Sequence, residues 1–182
     1  MQNEEEIISR ILAGDMQAFK ILVNQYEKLV IHMVSRLIQN KEDIEDICQD
    51  VFIKVYKNLA GFKFQSKLST WIAQIAYGTA INHLKKTSGK KSRTLAIADF
   101  ENSHTTNDNP EYLLSKKNTS EFIHKEIEKL PVQYRTVLGL YHMNEFSYQE
   151  IEDITGMPAG TVKSYLFRAR KLLKEKLEVY LK

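Results

Sequence analysis

A chain of 182 residues with 43% hydrophobic side chains can bury the core of one ordinary domain or of two small ones. Seven Gly and three Pro are too few for the many turns of an all-β fold, and a single cysteine excludes an internal disulfide. A net charge of +3 marks no class by itself, and no uninterrupted apolar run approaches the length of a membrane span.

The opening stretch MQNEEEIISRILAGD is acidic and lacks the basic start and apolar centre of a signal peptide, so a cytoplasmic protein that is not itself membrane-bound is expected. Phe19, Leu22, Val23, Tyr26, Leu29, Val30, Met33, Val34 and Leu37 then recur at i, i+3, i+4 and i+7, which predicts a long amphipathic helix. After the polar break QNKED, the series Ile44, Ile47, Cys48, Val51, Phe52, Val55 and Leu59 predicts a second, stopped by Gly61. Cys48 falls in that apolar stripe and reads as a buried thiol rather than a nucleophile. A rotation of about 100° per residue puts Asp46, Gln49, Asp50 and Ile53 on the opposite face. An apolar residue among acids suits a protein partner, although a solvated face with one stray isoleucine is the reading favoured from this segment alone.

The third helix is expected to start at Ser69 and Thr70, both good starting residues, and to carry Trp71, Ile72, Ile75, Ala76, Ala80 and Leu84 inward. Before it lies a loop with Phe62, Lys63, Phe64 and Lys67. After it comes KKTSGKKSR, with five basic and no acidic residues between Lys85 and Arg93. Aromatics interleaved with cations suit single-stranded nucleic acid, since each base offers a face for stacking and each phosphate a charge. The same aromatics also suit a core, which is the reading favoured for Trp71.

From Thr94 to Thr119 no helical period is sustained, and Asn, Asp, Ser and Thr accumulate, which predicts a linker between two compact units. Beyond it Phe122, Ile123, Ile127 and Leu130 predict a short helix ending at Pro131, and Val137, Leu138 and Tyr141 another. Ser147 followed by Glu150 is a capping box, so a two-turn helix is expected to begin there and to end at a left-handed Gly156. A turn shaped by Pro158 and Gly160 leads into a last helix with the buried stripe Val162, Leu166, Ala169, Leu173 and Leu177. This is a helix-turn-helix. With Val162 inward, Lys163, Ser164, Phe167 and Lys171 are left for the outer face, with Arg168 at its flank. Such a face suits the DNA major groove, where Lys and Arg reach guanine edges or phosphates and an aromatic lies against thymine methyls.

With these residues in place, the chain resembles the extracytoplasmic function (ECF) sigma factors of bacterial RNA polymerase over nearly its whole length. DIEDICQDVFIKVYKNLAGFK is similar to the segment with which that family docks on the β′ coiled coil, and LSTWIAQIAYG to a tract of its region two. The run from LPVQYRTVLGLYH to TVKSYLFRARKLL is similar to its region four, which reads the -35 element. The resemblance implies an all-α chain of two small helical domains, region two over residues 1–93 and region four over 120–182, joined by the linker 94–119. It implies core polymerase (β′ and β subunits) and promoter DNA as partners, no cofactor or metal, and an anti-sigma factor, often membrane-bound.

Carried onto this sequence, the resemblance makes Asp46, Gln49, Asp50 and Ile53 the polymerase dock. Phe62, Phe64, Lys67, Ser69, Trp71, Gln74, Tyr77, Asn82, Lys85 and Lys86 become the surface that unpairs and holds the -10 element. Thr161, Lys163, Ser164, Phe167, Arg168 and Lys171 become the -35 reader. Gly78 and Asn82 stand where many members have Asn and Asp, Tyr77 where Arg is common, and Tyr165 replaces a frequent Arg, so the general role carries over but no -10 motif does. Two other classes compete. A dimeric operator-binding regulator would account for the C-terminal half but has no use for the acidic face. An enzyme finds little support, because the five His are scattered and neither a Cys pair nor a phosphate-cradling loop is present.

Overall fold

The computed structural model describes residues 4–87 and 116–180. Among them are eight α-helices, one 3-10 turn and no strand: α1 (Glu4–Leu12), α2 (Met16–Ser35), α3 (Lys41–Asn58), α4 (Leu68–Thr87), α5 (Lys116–Glu128), α6 (Val132–His142), α7 (Tyr148–Thr155) and α8 (Ala159–Tyr180). The all-α expectation holds, and most of the apolar series of the sequence become buried stripes; Leu173 and Leu177 of α8, expected inward, are only half-buried and line a groove with Leu138 and Arg170.

The short helix α1 has no counterpart among the predicted elements. Ile7, Ile8 and Ile11 are buried, and the packing of α1 on α2 is secured at both ends. Asp15 caps α2 by accepting from the amides of Gln17 and Ala18, while the Arg10 guanidinium reaches the same carboxylate at 2.8 Å. Tyr26 donates to Glu4 across the pair. Asn40 caps α3 through the Asp43 amide. Leu22, Val30 and Val34 of α2, Val51 and Val55 of α3 and Ile72 of α4 form the core between these helices. Ala73, Ala76 and Ala80 give α4 a low-relief face against α2 and α3, and small side chains let helix axes approach closely. The start of α4 departs from expectation. It begins at Leu68, with the Trp71 amide bonded to the Lys67 carbonyl, so Ser69 and Thr70 lie inside the first turn rather than capping it.

In the second group, α5 begins at Lys116, inside the segment predicted as linker; the remainder of that segment, and Lys90, Lys91 and Arg93 of the basic block, lie outside the described residues. The helix-turn-helix forms as expected. The Ser147 hydroxyl accepts from the Glu150 amide, and a Glu150 oxygen accepts from the Ser147 amide. Gly156 ends α7 in the left-handed region at φ 72°, and its amide bonds to the Glu152 carbonyl. At that φ a Cβ costs about 1 kcal/mol or more. Gly156→Ala is therefore expected to lower the melting temperature of the C-terminal half by several degrees, measurable by circular dichroism. Nothing lies within 4 Å of a Cβ built there, so the effect is conformational rather than a clash. Ile151, Met157, Val162, Leu166 and Ala169 close the core of α6, α7 and α8.

The two groups of helices also touch. Arg135 of α6 is only 8% exposed. It donates to the carbonyl of Arg36, just beyond α2, and to that of Glu128. Helix α7 lies along α4 as well as along α8.

Candidate nucleic-acid interface

Three surfaces follow from how these helices turn their faces. On α3, burial of Ile47, Val51 and Val55 leaves Asp46, Gln49 and Asp50 exposed, with Ile53 half exposed among them at 50%. The expected face is thus present as one acidic strip with an apolar centre. Cys48 is half-buried, and burial pushes its thiol up to about 11, with Glu27 adding to the shift, so it stays protonated and unreactive.

The second surface runs from the loop before α4 along that helix. Phe62 departs from its expected role. It is buried, packed 5.2 Å from Trp71 and 4.8 Å from Phe64 between ring centroids, so it supports the loop instead of offering a face to a base. Phe64 is the exposed aromatic. Its backbone sits at φ 57°, where a bulky residue is strained, and half of its surface meets solvent. Trp71, Ser69 and Tyr77 are half-buried, and burial raises the Tyr77 hydroxyl above its ordinary range. Gln74, Asn82, Lys85 and Lys86 are exposed. At 1.5 Å per residue, Lys67 and Lys86 stand about 28 Å apart along the helix.

Lys67 is not free on this surface. Its ammonium lies 3.0 Å from a carboxylate oxygen of Glu150 on α7, and the Thr70 hydroxyl donates to that same oxygen at 3.2 Å. Burial alone would raise Glu150, but the Ser147 amide and the Lys67 ammonium overcome it and hold the carboxyl at about 2.

The third surface is the outer face of α8. Phe167 is 70% exposed, with Lys163, Arg168 and Lys171 exposed beside it and Thr161 and Ser164 half-buried at its edge. An aromatic so far out of the core, ringed by three cations, has no packing role. Arg168 reaches the Tyr134 hydroxyl at 3.5 Å, and Lys171 lies 4.0 Å from Glu175. The structure adds residues that the sequence did not single out for this face. Lys163 sits 5.8 Å from the Tyr148 ring centroid, Tyr148 stacks on Tyr141 at 5.2 Å, and the Arg170 guanidinium caps Tyr141 at 5.1 Å. Arg170 also donates to His142, whose proton affinity is lowered first by burial and then by that guanidinium. The ladder props Lys163 from below. Tyr165 packs edge-on against Tyr134, which gives an aromatic at this position a structural reason.

Comparisons with known proteins agree with this arrangement. Residues 22–89 match the family description "Sigma-70 region 2", and residues 122–173 match "Sigma-70, region 4". The chain is 32% identical to the ECF RNA polymerase sigma-E factor of Escherichia coli K12, over 96% of this chain and 94% of that one. It is 30% identical to the RNA polymerase sigma-H factor of Pseudomonas aeruginosa, over 100% and 97%. Its fold resembles that of the Bartonella quintana sigma factor RpoE crystallised with the anti-sigma factor NepR, at a TM-score of 0.62 and 24% identity over 88% and 97% of the chains. It also resembles CnrH bound to the cytosolic domain of CnrY, at 0.65 and 16% over 95% and 96%. No helix among the described residues is long and apolar enough to cross a membrane.

Proposed function

We infer the working of this protein from the premise that the chain belongs to the sigma-70 family, in its extracytoplasmic function group. It is an alternative sigma factor that directs promoter-specific transcription initiation. Promoter choice is lent to an enzyme that already makes RNA, and no catalytic step is assigned to this chain. The observation that carries the reading is the pairing, on one chain, of an exposed acidic strip on α3 with an exposed cationic face on α8. An operator-binding regulator needs only the second.

We assign Asp46, Gln49, Asp50 and Ile53 to the dock on the β′ subunit of core polymerase, with Ile53 as its apolar centre. The -10 strand is assigned to Phe64, Lys67, Ser69, Trp71, Gln74, Tyr77, Asn82, Lys85 and Lys86, with Phe62 packed beneath Phe64 and Trp71. Extruding a base from a duplex costs a few kcal/mol, which stacking on an exposed ring and phosphate contacts along a helix can offset. The -35 duplex is assigned to Thr161, Lys163, Ser164, Phe167, Arg168 and Lys171. Residues 1–93 act as region two and 120–182 as region four. As the resemblance implies, an anti-sigma factor controls access to these surfaces.

Gel filtration with core polymerase tests the assignment: co-elution in a one-to-one complex is expected, and a chain eluting alone contradicts it. On the DNA side, Lys163→Ala or Arg168→Ala is expected to weaken promoter duplex binding by about 1–3 kcal/mol if the residue reads a base edge. A phosphate contact would instead weaken binding to all sequences and shallow the salt dependence by about one unit of slope. Titrations at several salt concentrations separate the two, and indifference to both substitutions contradicts the -35 assignment.

A further inference from the structure

The carboxylate of Glu150 on α7 is held against the start of the surface assigned to the -10 strand. The Lys67 ammonium and the Thr70 hydroxyl converge on one of its oxygens from the first turn of α4 and the loop before it. An ammonium and a hydroxyl aimed at one anionic oxygen are the donors that bind a strand phosphate. Thr70 is only 2% exposed, and the hydroxyl of so buried a residue is costly to leave without an acceptor. Glu150 supplies that acceptor from α7, the helix that lies along α4.

The contact also joins two demands on one side chain. One Glu150 oxygen completes the capping box at Ser147, which fixes the carboxylate on the first turn of α7. The other faces α4. The anion is therefore presented rigidly, as part of the helix-turn-helix, and cannot reach Lys67 unless α7 is seated. The -35 face on α8 stays exposed in this arrangement, as does the acidic strip on α3. Only the start of the -10 surface is covered.

We propose that Glu150 is an internal phosphate mimic: it occupies the seat formed by Lys67 and Thr70, so the chain off DNA keeps the start of its -10 surface closed, and the non-template strand must displace α7 to enter. This rests on the assignment of α4 to the -10 strand. Closure lowers apparent affinity for single strands by the fraction of chain that is open, since only the open form binds. A chain on core polymerase opens when the separation of promoter elements draws α7 away from α4. Single-stranded DNA elsewhere is thus bound poorly, while strand capture at a promoter is favoured.

Two measurements on the full chain test this. A carbodiimide joins a carboxylate and an amine in contact as an amide with net loss of water, and peptide mass spectrometry reads the product. A Lys67–Glu150 cross-link is expected in the free chain, with the Lys129–Glu126 pair at 2.8 Å as the internal control. It should fade as a labelled random-sequence single-stranded 12-mer is titrated in. The second measurement uses Glu150→Gln, which keeps the capping box, because Gln serves at that position, but removes the charge that mimics phosphate. Its Kd for the 12-mer is expected to fall about threefold, in the range that loss of a partly exposed ion pair allows, with helicity unchanged.

No Lys67–Glu150 product while the control pair links would overturn the proposal. So would a product that persists on DNA-saturated chain, or equal Kd values for the two proteins; these outcomes leave the -10 assignment standing. Failure of both proteins to bind the 12-mer would remove the -10 assignment itself, and the proposal with it.

Discussion

Asp46→Lys is expected to abolish the association with core polymerase. The residue lies mid-helix on the exposed side of α3, flanked by Gln49 and Asp50 one turn on, so the substitution leaves the core of Ile47, Val51 and Val55 untouched. Its effect is confined to the surface. Reversing one charge in a complementary interface turns an attraction into a like-charge contact, at a cost of several kcal/mol. A loss of about 3 kcal/mol weakens binding by about 100-fold. Gel filtration or surface capture with purified core reads this directly. Helicity and melting should be unchanged, and binding to promoter duplex without polymerase should be retained. Unchanged retention on core would remove the docking assignment and return the operator-binding regulator as the better account.

The second large effect is expected in the C-terminal half. Leu166 is 1% exposed at the centre of α8 and packs into the same core as Ile151 of α7 and Val137 of α6. Leu166→Ala leaves a cavity where three helices meet, at a cost of about 2–5 kcal/mol. That is a large part of the stability of so small a unit. Thermal melting should show an early transition for this variant, and duplex binding should be lost with it. Binding of single-stranded DNA, assigned to α4, should survive at low temperature. Loss of both activities together would mean that the two groups of helices melt as one unit.

The contrast between these two variants reflects what could be read from the chain alone. Burial follows from period, so the faces of α3 and α8 were legible: once Val51 and Val162 point inward, helical geometry leaves few choices for Asp50 and Phe167. The helix-turn-helix was legible for a second reason, because Ser147, Glu150 and Gly156 act through local backbone chemistry. Helix α1 was not. Its nine residues offer only Ile7, Ile8, Ile11 and Leu12 as an apolar signal, too short a series to establish a period.

Aromatic orientation was not legible either. Phe62 and Phe64 are two residues apart in one basic loop, yet one is buried under Trp71 and the other meets solvent, because the chain turns through a left-handed residue at Phe64. Nothing in the residue types foretells that. The longest-range feature was the least visible. Thr70 and Glu150 are 80 positions apart, and their contact depends on how α7 lies along α4, which no local pattern encodes. The ladder from Lys163 through Tyr148 and Tyr141 to Arg170 is of the same kind, since it joins three helices.

Transcription from fragmented genomic DNA by core bacterial RNA polymerase, with and without this protein and with transcript starts mapped, decides whether the chain confers promoter choice. A sigma factor predicts discrete new starts that share motifs upstream at the -35 and -10 positions, and their loss with Asp46→Lys. Identical starts with and without an active, folded chain would contradict it.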